Sequence, residues 1–285
     1  MSAAQAPGAR ANSAGARDAL AAAAIIPVRF GATRLPGKPL LDTTGWPLVR
    51  HVWEAVCRAR SLDPVIVATD DARIAAAVAG FGGRVEMTDP AHPSGSDRVA
   101  EVARRLDSEL ILNVQGDEPE IDPDDLDRLV ARLAQGDEDL VTLARPLRED
   151  ETAALHDSHV VKLVMDGAGR ALYFSRCPIP HGAGPGQGSA EAPLGAFAHQ
   201  GVYGWRRAAL LDFAATPPVA LERCERLEQL RAQSLGLRIG VVLTQHESLG
   251  IDTPADYARF CERHARQAGR HSTQDSGRRP AGGRT

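Results

Sequence analysis

Aromatic residues are scarce in this chain, only 4% of its 285 residues, and no long apolar run, basic excess or cysteine framework is present. Each absence excludes something. The four cysteines, Cys57, Cys177, Cys224 and Cys261, are widely scattered, with no C-x-x-C pair and no zinc spacing, so they read as small unpaired side chains of a reducing cytoplasm. A net charge of −4 removes the positive face that a nucleic-acid partner requires. Sparse arginines without interleaved aromatics make tail-mediated nucleic-acid binding equally poor. Nothing approaches the roughly 18 apolar residues needed to cross a bilayer, so no membrane partner is expected. The run from Ala19 to Val28 flows straight into a polar loop and is read as a first strand, not as a cleaved leader. No internal repeat is visible. The Walker pattern G-x-x-x-x-G-K-[ST] is missing too, since Gly31 and Gly37 are too far apart and Pro39 follows Lys38.

What is present begins at that loop. Gly31-Ala32-Thr33-Arg34-Leu35-Pro36-Gly37-Lys38-Pro39 follows an apolar run, at the carboxyl edge of a sheet where open α/β folds bind ligands. Glycines let backbone NH groups approach phosphate oxygens, and Arg29, Arg34 and Lys38 supply positive charge, so the loop reads as a triphosphate cradle. A hydrophobic content of 43% supports one large domain. Strand-like and helix-like patterns alternate along it, the α/β signature.

Pro64 to Thr69 reads as a buried strand, followed by a helix that Asp70 or Asp71 caps and that buries Ile74, Val78 and Phe81. Leu110 to Val114 is another strand, delivering Gln115, Gly116 and Asp117 to its carboxyl end. A helix from Pro123 to Leu133, capped by Asp122, follows it. The segment from His181 to Pro193 is dominated by Gly, Pro and Ala and reads as a flexible excursion. Leu221 to Leu235 reads as one helix with an apolar stripe of Leu221, Cys224, Leu227 and Leu230, and with Glu222 and Glu225 on a solvated face. Residues 1–20 and 268–285 are compositionally disordered tails, which leaves 21–267 as the folded domain.

Ordered segments along residues 25–260 carry a resemblance. They are Ile25 to Leu40, Val67-Ala68-Thr69-Asp70-Asp71, His92-Pro93-Ser94-Gly95-Ser96-Asp97-Arg98 and Asn113-Val114-Gln115-Gly116-Asp117-Glu118-Pro119. Ala171 to Arg176, His199-Gln200-Gly201-Val202-Tyr203, Leu227-Glu228-Gln229-Leu230-Arg231 and Gly250-Ile251-Asp252-Thr253-Pro254 continue it. Together they resemble the acid-sugar cytidylyltransferases, which activate sugar acids as CMP derivatives, and within them the branch acting on 3-deoxy-manno-octulosonate (Kdo).

The resemblance implies a Rossmann-like nucleotidyltransferase fold, a twisted and mostly parallel sheet flanked by helices. It also implies a smaller lobe, roughly 160–205, that completes the sugar pocket and helps form a homodimer. The implied reaction joins CTP and Kdo to give CMP-Kdo and pyrophosphate for lipopolysaccharide in the cytoplasm, with Mg2+ as cofactor. Arg34, Lys38 and Asp117 would be catalytic. Arg29, Gly31, Ala32, Thr33, Arg34, Lys38, Thr69, Asp70, Ser94, Gly95, Ser96 and Arg98 would bind CTP, and Gln115, Arg176, His199, Tyr203, Glu228 and Gln229 would surround Kdo. Asp117 and Asp252 would hold the metal, although Asp252 is equally well placed to cap a helix starting at Pro254. Arg98 also reads as a solvated helix arginine, and His199 as a structural histidine.

Some positions depart from the family pattern. Ala32 lacks a hydroxyl that would touch phosphate, Val28 and Phe30 are unusual, and His156-Asp157-Ser158-His159 replaces a common Asn-Pro-Asn while Lys162 is kept. A transferase for acylneuraminate or for 8-amino-Kdo, and a non-catalytic nucleotide-sugar-binding module, are the alternatives.

Overall fold

A computed structural model describes residues 22–31, 34–190 and 192–275; Ala32, Thr33 and the two terminal segments lie outside it. In chain order the elements are β1 (Ala22–Val28), α1 (Leu48–Cys57), β2 (Leu62–Thr69), α2 (Ala72–Gly80), β3 (Arg84–Met87), α3 (Gly95–Ala103), β4 (Leu110–Asn113), α4 (Pro123–Gln135) and β5 (Leu140–Pro146). They continue with α5 (Thr152–His156), β6 (Lys162–Met165), β7 (Ala171–Ser175), β8 (Phe197–Arg206), α6 (Arg207–Ala215), α7 (Ala220–Glu225), α8 (Gln229–Ser234), β9 (Ile239–Leu243) and α9 (Pro254–Asp275).

Every residue of β1 is buried, because the strand is covered on both sides. Ala22, Ala24, Ile26 and Val28 pack with Val49, Val52 and Val56 of α1 and Leu126, Leu129 and Leu133 of α4. Ala23 and Ile25 pack on the opposite face with Val99 and Val102 of α3 and Leu210 and Phe213 of α6. The period of two splits a continuous apolar run between two cores, each fully buried large aliphatic contributing about 1.5–3 kcal/mol.

The sheet runs β3-β2-β1-β4-β8-β5-β9. Strands β1, β2, β3 and β4 are parallel, β9 is parallel to β5, and β8 lies antiparallel to both β4 and β5. The hairpin β6–β7 lies off this path and pairs, through β6, with the start of β8. After β1 the chain builds outward through β2 and β3, then returns to place β4 on the other side of β1. That reversal opens a crevice at the carboxyl ends of β1 and β4, where α/β sheets take their ligands.

Local signals explain most helix starts. Asp71 caps α2 by accepting from the Arg73 NH at 2.9 Å, and Asp122 caps α4 by accepting from the Asp124 NH at 2.8 Å. The expected single helix over residues 221–235 is instead α7 and α8, broken at Arg226, whose φ of 55° is left-handed. Three tertiary contacts hold the break. Arg176 donates to the Glu225 carbonyl at 2.8 Å and to the Arg226 carbonyl, and Arg231 of α8 folds back on Glu222 of α7 at 2.7 Å.

Consequently Leu227 and Leu230 are buried while Leu221 and Cys224 are exposed. Glu222 and Glu225 are not on a solvated face: the second accepts from Ser175 at 2.6 Å and from the Arg176 NH at 3.0 Å. Lys162 is wholly buried, with its ammonium on the carbonyls of Asp157, Val160 and Arg176 at 2.6–2.7 Å, so it pins the lobe. Within the Gly- and Pro-rich excursion, Gly184 and Gly188 donate to the carbonyls of Leu194 and Pro193, and Leu194 is buried. The final helix runs to Asp275, past the domain end expected at residue 267.

Candidate active site

A cleft of about 280 Å³ opens at the carboxyl ends of β1 and β4. Pro27, Val28 and Arg29 enter it from the end of β1, Gln115, Gly116 and Asp117 from the segment after β4, and Arg34 and Lys38 from the loop that follows β1. Ser94, Gly95 and Arg98 come from the start of α3, and Asp252 from the approach to α9.

The backbone brings the two distant carboxylates together. The Ile251 NH donates to the Asp117 carbonyl at 2.9 Å, stitching the approach to α9 against the turn after β4. Lys38 closes the stitch: its ammonium donates to Asp117 Oδ2 at 2.8 Å and to the Ile251 carbonyl at 2.6 Å, and lies 3.5 Å from Asp252 Oδ1. Arg34 pairs with the other oxygen of Asp252 at 3.0 Å. Gly116 is required by crowding, since a Cβ there would stand 2.7 Å from Val28 Cγ2 and 2.9 Å from the Pro27 carbonyl oxygen.

The capping role open to Asp252 falls to its neighbour. Thr253 Oγ1 accepts from the Asp256 NH at 3.2 Å, and Asp256 accepts from the Thr253 NH at 2.8 Å, so Thr253 starts α9 and both Asp252 oxygens face cations.

These residues suit a hard divalent cation. Two carboxylates already converge on a single ammonium, and no larger cluster of ligating side chains occurs among the described residues. Magnesium favours that arrangement, one or two carboxylates completed by phosphate and water oxygens.

Among the nucleotide candidates, Arg29, Arg34, Lys38, Ser94, Gly95 and Arg98 line the cleft, and Gly31 has open space where a side chain would be. Ala32 and Thr33 lie outside the described residues. Arg98 is not a solvated arginine; it is buried, hydrogen-bonded to Thr88 and 3.4 Å from Asp70. Thr69 and Asp70 therefore act behind the cleft, Asp70 by holding Arg98 and Thr69 by accepting from the Asp71 NH at 3.2 Å. Ser94 caps α3, accepting from the Asp97 NH at 3.2 Å. Ser96 points away from the cleft, donating to Glu228 at 2.7 Å.

Of the sugar candidates, Gln229, Tyr203 and His199 gather around that carboxylate, whereas Gln115 lines the cleft. Tyr203 donates to Gln229 Oε1 at 3.1 Å, and its ring lies 5.6 Å from His199, which exchanges a hydrogen bond with Thr142 at 2.9 Å. Burial pushes the His199 imidazole down to about 3, so it is neutral here. Burial raises Glu228, although Ser96 and the nearby Arg231 charge oppose the shift. The amide nitrogen of Gln229 is buried and has no hydrogen-bond partner among the described residues, which leaves a donor for a ligand. Arg176 does not join this group; its guanidinium is taken up by the carbonyls of Ser158, Glu225 and Arg226.

Sequence reasoning assigned no role to His92 or Asn113. His92 lines the cleft, held by Glu101 at 2.6 Å. Both stand inside motifs quoted for their neighbours, and that proximity was the available signal. Glu118, beside Asp117, is buried with Ser248 donating to it at 3.0 Å, and burial together with the Asp117 charge pushes it up to about 8.

The family model for cytidylyltransferases matches residues 23–239. A 3-deoxy-manno-octulosonate cytidylyltransferase of Geobacter sulfurreducens is 49% identical over 249 residues, spanning 84% of this chain and 98% of the relative. Another from an Anaeromyxobacter species is 50% identical over 239 residues, spanning 83% and 94%. A solved CMP:2-keto-3-deoxy-manno-octonic acid synthetase complexed with CTP superposes with a TM-score of 0.79 at 36% identity, covering 87% of this chain and 99% of that one. A nucleotidyl transferase of Methanothermobacter thermautotroptrophicus, at 17% identity and a TM-score of 0.57, shares the fold.

Proposed function

Since the chain belongs to the cytidylyltransferase family, and there groups with the 3-deoxy-manno-octulosonate cytidylyltransferases, we propose that it transfers the cytidylyl group of CTP to Kdo, giving CMP-Kdo and pyrophosphate. One observation carries the chemistry: Lys38 and Arg34 meet Asp117 and Asp252 in a cleft at the strand switch point. The reaction is an in-line displacement at the α-phosphorus, so the protein's task is positioning and charge stabilisation.

Arg29, Arg34 and Lys38 bind the β- and γ-phosphates and stabilise the pyrophosphate as it leaves. Asp117 and Asp252 hold Mg2+, which when bound supplies positive charge to the phosphate oxygens. Gly95 and Gly116 keep the floor of the cleft low enough for a nucleotide to approach the backbone. Glu228, Gln229, Tyr203 and His199 form the hydroxyl-binding wall, in which the unpartnered Gln229 amide is a donor to the sugar. Arg176 supports that wall by fixing the break between α7 and α8.

Among the described residues no helix is long and apolar enough to cross a membrane, and four free cysteines suit a reducing cytoplasm, where the product feeds lipopolysaccharide assembly. A homodimer, the assembly the family resemblance implies, is to be checked by sedimentation. The deciding experiment is pyrophosphate release from CTP with a panel of Kdo, 8-amino-Kdo and acylneuraminate, with and without magnesium. Release with Kdo alone among these acids supports the reading; no release with any of them overturns it.

A further inference from the structure

Between the nucleotide cleft and the sugar wall runs a chain of three side-chain hydrogen bonds. Gln115 Nε2 donates to Asn113 Oδ1 at 3.4 Å, Asn113 Nδ2 donates to Ser96 Oγ at 3.2 Å, and Ser96 Oγ donates to Glu228 Oε1 at 2.7 Å. Asn113 is the last residue of β4 and is fully buried, and Ser96 is only 1% exposed, so neither can exchange its partner for bulk water. All three donors point the same way, from β4 toward α8.

We propose that Asn113 and Ser96 are positioning residues that orient Glu228 for the sugar. A serine hydroxyl has one proton. Because Asn113 occupies the acceptor side of Ser96, that proton is directed to Glu228 Oε1, which leaves the second oxygen for the sugar. At the other end Gln115 spends its amide NH on Asn113 and leaves Oε1 beside Gly95, where a Cβ would lie 3.7 Å from it. The Glu228 end of the chain therefore presents an oxygen acceptor to a sugar hydroxyl, while the Gln115 end keeps Oε1 and its second N–H at the cleft. Ser96 also sits two residues past Ser94, on the helix start that lines the cleft. The two proposed pockets are therefore joined by a chain of three hydrogen bonds.

This inference rests on Glu228 facing the sugar in the function proposed above. The test is a double-mutant cycle of Ser96→Ala and Glu228→Ala, with KM for Kdo and kcat from pyrophosphate release and CTP affinity from calorimetry. Ser96→Ala is expected to raise KM for Kdo about tenfold, the order of one hydrogen bond to a charged group, and to leave CTP affinity within about twofold. In the Glu228→Ala background, where no acceptor is left for the Ser96 hydroxyl, the same substitution should change KM by less than about twofold. Asn113→Ala should follow the pattern of Ser96→Ala, with CTP binding as its check of folding. If Asn113→Ala does not fold, the Ser96 and Glu228 cycle decides alone. Factors that multiply in the double variant, or a loss confined to CTP affinity, would overturn the relay while leaving the enzymatic reading intact. Absence of Kdo turnover in the unaltered chain would overturn both.

Discussion

Replacing Asp252 by Asn separates the two duties its position suggests. Its side chain is 50% exposed and its Arg34 partner 59% exposed, and an ion pair so solvated contributes about 0–1 kcal/mol. The buried end of the cluster survives the change, because Lys38 keeps Asp117 at 2.8 Å and the Ile251 carbonyl at 2.6 Å. The melting temperature of Asp252→Asn should therefore fall by no more than about 4 °C, given roughly 2–4 °C per kcal/mol for domains approaching this size. Turnover should fall far more. A metal ion supplies several kcal/mol of charge stabilisation to phosphoryl chemistry, and weakening its site lowers kcat/KM about a hundredfold or more. Thr253→Ala is the control, since it removes the cap of α9 and costs about 1 kcal/mol while leaving both carboxylates in place. Pyrophosphate release over a magnesium titration, beside thermal melts of both variants, tests the pair. Asp252→Asn activity within threefold of the unaltered chain at saturating magnesium, or an equal activity loss in Thr253→Ala, would refute the assignment.

Gly116→Ala should remove most activity, because its Cβ meets Val28 and the Pro27 carbonyl below 3 Å and moves Asp117; a crystal structure of an active variant with Asp117 unmoved would contradict this. Arg98→Ala should destabilise by about 3 kcal/mol, since it strands the Asp70 carboxylate behind the cleft, and a urea midpoint unchanged from wild type would count against that ion pair. Glu118, raised to about 8 from 4.5, keeps its proton in the fold after the unfolded chain has released it, so stability conferred below about pH 4.5 is lost as pH rises toward 8. Glu118→Gln should lose that decline, and parallel stability curves for both proteins in chelator between pH 5 and 8 would show that Glu118 is not the group.

What could be read from the sequence follows a physical division between local and distant causes. The run through β1 announces a strand covered on both faces, and the glycines and cations after it announce the loop that lines the cleft, because burial and φ freedom leave marks within a few residues. Asp117 at the end of β4 is legible for the same reason. The break at Arg226 is not, because its cause is a guanidinium 50 residues away that ties up the last carbonyls of α7; propensity alone continues the helix. The antiparallel placing of β8 is equally hidden, since an alternating pattern fixes which face a strand buries but not its direction. Asp252 and Thr253 both have capping side chains, and only the stitch between Ile251 and Asp117 decides which one turns to the helix and which to the cations. Ser96 carries the same lesson for the site. In a short polar motif it reads as a nucleotide contact, yet its hydroxyl spans 132 residues of sequence to Glu228, and that pairing exists only once α8 has packed against α3's first turn. A motif assigns chemistry to a neighbourhood; which of its oxygens faces the ligand is settled by the element that packs behind it.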